Sequence, residues 1–171
     1  MKRNIILLFS IGLLIITSCT STAPQKEEST VRGLTVNDIK AAISNHQQTI
    51  IDSITSHSST VRPGVAVLDI ASEDNELGVF TAEEIILQLV RTRQFRVVDR
   101  DSIETILKEH HFQYSGIVSD ETAVSIGKFI GASVIITGVI RQREDQIDFT
   151  LKILDVETAE IIDLISIPIW E

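Results

Sequence analysis

The order of apolar and polar positions divides the chain into three stretches. Lys2 and Arg3 precede an almost unbroken apolar run from Asn4 to Ile16, which ends in the small polar pair Thr17 and Ser18 and then Cys19. A basic start, a short apolar run and small residues before a cleavage point mark a secretory signal peptide. The run falls short of the about 20 apolar residues that cross a bilayer. From Thr20 to Arg32 the sequence is rich in Ser, Thr and Glu with one Pro, too polar to bury the surface that would offset chain entropy, and is expected to be a flexible tether. The predicted organisation is a signal peptide over 1–18, a modified cysteine and tether over 19–33, and one α/β domain over 34–171.

Within that domain the period of the apolar positions alternates. Val36, Ile39, Ile43, Ile50 and Ile54 recur near multiples of 3.6 after Thr35, predicting a helix of about five turns that ends in the Ser/His cluster at 55–60. GVAVLDI at 64–70 is a β-branched run bounded by Pro63-Gly64 and a polar loop, the pattern of a buried strand. Thr81-Ala82-Glu83-Glu84 reads as a capping box opening a helix whose inward side is Ala82, Ile85, Ile86, Leu89 and Val90. Phe95–Val98 is a second strand, Asp101 with Glu104 a cap for a helix to about His110, and Ser119 a cap for a helix over Ala123, Ile126, Gly127 and Ile130. Strands then follow at 133–141, at 147–153 with strict alternation, and at 161–167, with Pro168 closing the last. Strand–helix–strand connections imply parallel pairing and the two short terminal turns imply antiparallel hairpins, so the expected fold is α/β, a single mixed β-sheet with helices packed on it.

Composition narrows the partners. With 15 Lys and Arg against 24 Asp and Glu the formal net charge is −9, and removal of Lys2 and Arg3 deepens it, so nucleic acid is not an expected partner. Such a balance also disfavours lying flat on anionic lipid, leaving an acyl anchor rather than a basic patch to hold the protein at a membrane. The single cysteine excludes an intramolecular disulfide framework and a multi-cysteine metal site.

The sequence offers little chemistry. It contains no G-x-S-x-G elbow, and the loop after Ile70 is acidic where a phosphate loop would be glycine-rich. His110 and His111 beside Glu109 form a candidate pH-sensitive or metal corner, but adjacent helical residues point about 100° apart and do not chelate one ion together. No metal and no cofactor are expected. Asp99-Arg100-Asp101 ends a predicted parallel strand, where α/β sheets place ligand sites. The plainer role is a helix cap at Asp101 and an ion pair between Arg100 and a neighbour or Asp69. Arg100, Tyr114 and Trp170 are the candidate interaction residues, because large aromatic and guanidinium groups concentrate binding energy. The amphipathic first helix and the last strand are the candidate surfaces.

Two resemblances sharpen this reading. Ile16-Thr17-Ser18-Cys19 resembles a bacterial lipobox, which implies that Cys19 is acylated and becomes the mature N-terminus, held by several acyl chains where one would bind only reversibly. Thr20, in place of an aspartate, points by the same resemblance to the outer membrane. Further on, GVAVLDI at 64–70, FRVVDRDSIETILKE at 95–109, Phe112–Asp120, SDETAVSIGKFIGASVIITGVI at 119–140 and LKILDVETAEI at 151–161 together resemble the CsgG family (CsgG/HfaB-like). That family includes a curli-secretion channel and lipoproteins labelled penicillin-binding protein activator LpoB, and small spirochaete lipoproteins look especially similar.

The resemblance implies a domain like the N-terminal domain of TolB, a periplasmic location and no enzymatic activity. The connections are too short to carry the transmembrane hairpins of the secretion channel, whose strands need about 9–11 residues each. The expected function is therefore that of a lipid-anchored, non-catalytic interaction module facing the periplasm, LpoB-like, regulating peptidoglycan synthesis. Its expected partners are an envelope protein (a peptidoglycan synthase or secretion component) or a second copy, with the membrane reached through the anchor. The alternative is a ring-forming structural or secretion component of the outer membrane.

Overall fold

The computed structural model describes residues 34–109, 118–143 and 146–169. Their order is α1 (Val36–His57), β1 (Gly64–Ala71), α2 (Asn75–Thr92), β2 (Arg96–Val97), α3 (Arg100–Glu109), α4 (Asp120–Ile130), β3 (Val134–Arg143), β4 (Gln146–Asp155) and β5 (Ile161–Pro168). The strands form one mixed sheet in the order β2-β1-β3-β4-β5. β1 pairs in parallel with β2 and β3, and β3, β4 and β5 pair antiparallel. The expected fold class is what the chain adopts. The compact unit Val31–Glu171 holds the whole of both cores described below.

The first helix opens as its sequence requires. The Thr35 hydroxyl accepts from the Asp38 amide at 3.3 Å while the Asp38 carboxylate accepts from the Thr35 amide at 3.0 Å, satisfying donors that a helix start leaves orphaned. Ile39, Ile43, Ile50 and Ile54 then bury against the sheet. With Ala82, Ile85 and Leu89 of α2 they cover Val65, Val67, Val134, Ile136, Phe149, Leu151, Ile153 and Ile165. On the opposite face Ile103 and Leu107 of α3 and Ala123 and Ile126 of α4 cover Ala66, Leu68, Ile135 and Leu154.

Two helix starts differ from the sequence reading. α2 begins at Asn75 because the Asp74 carboxylate accepts from the amides of Glu76 and Leu77 at 3.0 and 3.2 Å. This sets Gly78 in the first turns, where a Cβ would lie 2.1 Å from the Ile70 carbonyl oxygen, so only glycine lets α2 sit on β1. Thr81 is thereby an interior residue, fully buried, whose hydroxyl donates to the Leu77 carbonyl at 2.6 Å and caps nothing. Val90, read as core, turns outward and is 51% exposed. For α3, the Val98 amide still donates to Val65 O at 2.8 Å, so the chain leaves the sheet only at Asp99. Asp99, rather than Asp101, then receives the Ser102 amide on its carboxylate and the Ile103 amide on its carbonyl.

α4 matches the reading closely. Ser119 accepts from the Thr122 amide at 3.3 Å, and Gly131 ends the helix at φ 66°, a left-handed conformation that favours glycine. At Gly127 a Cβ would press on Val156 and Ile135, so this residue sets how near α4 approaches β3 and β4. In β4 the alternation holds: Phe149, Leu151 and Ile153 are buried while Asp148, Thr150 and Lys152 lie on the other face.

Candidate functional site

Arg100 stands at the first turn of α3, where the cap at Asp99 aims it back over the end of β1. Its guanidinium pairs with the Asp69 carboxylate, and its Nε lies 3.8 Å from Glu104, which in turn lies 3.6 Å from Lys108 Nζ. The four charges rim a cleft of about 280 Å³ whose apolar lining is Val67, Leu68, Ile103 and Leu107. Alternating charges of this kind fix the helix against the strand. Arg100 therefore takes the ion-paired role anticipated for it, with Asp69 as partner, and Asp101 stands in the first turn with Glu104 one turn on.

The other sequence-derived residues fall elsewhere. Cys19 and the lipobox residues Ile16, Thr17 and Ser18, with Tyr114, Trp170, His110 and His111, lie outside the described residues. His46 contributes its Nδ1 to a 2.9 Å contact with the Ala42 carbonyl. His57 Nε2 lies 3.2 Å from Asp155 at the foot of β4. Burial, the largest single influence on the Asp155 carboxyl, would raise its pKa. Hydrogen bonds from the Thr158 amide and hydroxyl and the Glu157 amide, with the His57 charge, outweigh it and hold the group below its ordinary 3.8. No group of three His, Cys, Asp or Glu side chains suited to a metal occurs among the described residues.

Of the two expected surfaces, the first helix is spent. Its isoleucine face is buried against this sheet, because α1 and α2 share that side of it. The last strand is not. β5 is the outer strand of the sheet, and its neighbours are β4 on one edge and α1 on one face.

The helix layer on the other face stops short of it. α4 reaches as far as Lys152, whose Nζ donates to both Asp120 carboxylate oxygens at 2.8 and 3.1 Å. Beyond that bridge the antiparallel register lines up three rows: Thr137, Lys152 and Leu164; Val139, Thr150 and Ser166; Arg141, Asp148 and Pro168. Leu164 and, nearer the β4–β5 turn, Ile161 are 55% and 47% exposed.

This face and the edge of β5 that no described strand pairs combine apolar, hydroxyl and charged groups on the sheet. Its chemistry is recognition: an edge strand offers unpaired N–H and C=O groups to a partner strand, and the rows beside it supply side-chain selectivity. The alternation of β4 made half of this face legible in the sequence. Arg141 and Leu164 were missed, since their alignment follows from register across three strands.

Known proteins can be set beside this geometry. The family model of the peptidoglycan-synthase activator LpoB matches residues 80–162, from α2 to the start of β5. No curated protein matches the sequence. The LpoB C-terminal domain from Escherichia coli superposes with a TM-score of 0.62 at 14% identity, covering 78% of this chain and 99% of that one. The corresponding domain from Salmonella enterica gives 0.60 at 12% identity, covering 73% and 95%. The NMR structure of E. coli LpoB gives 0.55 at 14% identity, covering 98% and 82%. At these identities the superpositions show a shared fold. Of the resemblances drawn from sequence motifs, the one to LpoB is supported and the one to the CsgG family is not: the chain is similar in sequence to the LpoB family over residues 80–162 and has the fold of the LpoB C-terminal domain.

Proposed function

We propose that this protein is a non-catalytic periplasmic module, anchored to the outer membrane through acylated Cys19, that docks on a peptidoglycan synthase and raises its activity. The observation that carries the reading is the LpoB family match over residues 80–162, which takes in α3, α4, β3 and β4 and ends at the start of β5. The docking surface in this reading is that face together with the β5 edge, centred on Leu164, Ser166, Thr150 and Lys152. Activation requires differential binding: the module must hold the synthase's active conformation more tightly than its idle one. Among the described residues no helix is long and apolar enough to cross a membrane, and the anchor assigned to Cys19 supplies the attachment.

The test pairs the chain from Thr20 onward with each bifunctional peptidoglycan synthase of its own cell and follows glycan polymerisation. A rise in rate with one of them, lost on Leu164→Asp with folding intact, is the expected result. No rise with any synthase, or closed rings of the lipoprotein in detergent by electron microscopy, would overturn the reading in favour of a structural or secretion component. Separately, Cys19→Ala should move the protein from the membrane fraction to the soluble one.

A further inference from the structure

The charge balance of the chain hides a segregation that the fold creates. At the end of the molecule where β1 and β2 begin and α2 and α4 finish, Arg62, Arg91, Arg93, Arg96 and Lys128 converge, all exposed. Short contacts tie them together. Arg62 Nη2 donates to Phe95 O at 3.2 Å, the Arg96 amide donates to Pro63 O at 3.0 Å, and Arg96 Nη2 donates to Gly131 O at 3.0 Å, three residues past Lys128. None of the five forms an ion pair with a carboxylate among the described residues, whereas Arg100, Lys108, Arg143 and Lys152 all do. Arg91, Lys128 and, through the Gly131 carbonyl, Arg96 also meet the negative ends of the α2 and α4 dipoles, but Arg62 has no helix end to serve. Glu157 and Glu160 stand in the β4–β5 turn, at the same end of the sheet but beyond β3 in the strand order.

Two apolar side chains stand among these cations. Val61, next to Arg62, is 95% exposed, and Val90, in the last turn of α2 with Arg91, is half-exposed. Cations without carboxylate partners beside exposed aliphatic groups are complementary to an anionic bilayer, which offers headgroup phosphates and, beneath them, an apolar phase. A carboxylate polymer or an acidic protein surface would match the charges and leave Val61 in water.

We propose that this basic end is a membrane-docking surface for anionic phospholipid headgroups, a second attachment beside the acyl anchor. The chain enters the domain at the opposite end, where Leu34 lies with Ser72, Glu73 and Gln142. α1, 22 residues long, separates the two ends by about 33 Å. On the anchored reading above, the fourteen residues between Cys19 and Leu34 allow a reach of at most about 50 Å, more than that separation.

The experiment uses the unlipidated chain from Thr20 onward, which contains the compact unit with both cores, so its outcome does not depend on the anchor. Co-sedimentation compares vesicles of pure phosphatidylcholine with vesicles containing a third phosphatidylglycerol. Binding is expected only to the latter, to weaken with added salt, and to fall at least about tenfold in the triple variant R62E/R91E/K128E. Val61→Asp should also weaken it several-fold, and R141E/R143E, at the other end of the molecule, should lower it far less than the triple variant, with circular dichroism confirming each fold. Equal binding to both vesicles, or an unchanged affinity in the triple variant, overturns the proposal. Loss with the charge reversals but none with Val61→Asp overturns it in favour of a polyanion site, such as cell-wall carboxylates.

Discussion

The two halves of the sheet are built on different terms. Around β1 and β3 helices lie on both faces, so Ile135 and Ile136, consecutive in β3, are each fully buried on opposite sides. In β4 consecutive residues part ways: Ile153 is buried under α1 and α2's side, while Lys152 opens outward and bridges to α4. The first half spends both faces on cohesion and the second leaves one without a helix layer among the described residues. A scaffold that doubles as a docking module needs this asymmetry, because a surface free for a partner is one that contributes little to its own stability.

The asymmetry can be broken residue by residue. Ile135→Ala and Ile136→Ala should each cost about 2–5 kcal/mol in chemical denaturation, since both leave cavities between packed layers. A loss on one side only would mean that the α3 and α4 layer is not cohesive. Gly78→Ala comes next, at about 1–3 kcal/mol, because the new methyl meets the Ile70 carbonyl and pushes α2 off β1. Ser119→Ala should cost about 1 kcal/mol by orphaning the Thr122 amide of α4, with Ser119→Asp restoring most of it.

On the open half the effects shrink. Thr150→Ala should change stability by no more than about 0.5 kcal/mol, and a larger loss would place a cohesive role on the face assigned to binding. The acid response sharpens the same contrast at the foot of β4. The Asp155 carboxyl is held below 3.8 in the fold, so the unfolded chain binds more protons as the pH falls. Its stabilisation is complete above about pH 4 and disappears as the pH drops through the folded value. Asp155→Asn should flatten that limb of the denaturation midpoint measured from about pH 6 down to about pH 3.

Much of the fold was legible because its elements carry local signals. Thr35 and Asp38, Ser119, Gly131 and the alternation from Ile147 to Ile153 each act within a few residues, and the structure uses all of them. Thr81 and Glu84 formed an equally good local signal and were overridden. Asp74 caps two turns earlier, and the close seat of Gly78 on β1, a tertiary fact, fixes that start. Asp101 lost to Asp99 because the ladder with β1 runs on to Val98.

The site was less legible. Arg100 was read as an ion-pair residue with Asp69 as one of its possible partners, and the fold selects Asp69. The candidate first helix failed as a surface, since an amphipathic face does not say whose sheet it covers. Net charge was uninformative for a related reason: it is a sum over the sequence, whereas Arg62 comes to Phe95 and Arg96 to Gly131 only when strand starts and helix ends meet.

The strand order also fixes a sequence of events in time. β1 is central, yet until β3 is made its only ladder is the short one to β2 at Gly64 and Val65. A chain emerging from its N-terminus holds four helices with almost no sheet to pack on, and the nucleus must wait for Val134 onward, where β3, β4 and β5 pair through short connections. Folding is thus gated by the last quarter of the polypeptide. A translocation arrest or truncation before that point leaves an adhesive, aggregation-prone intermediate rather than a smaller working domain.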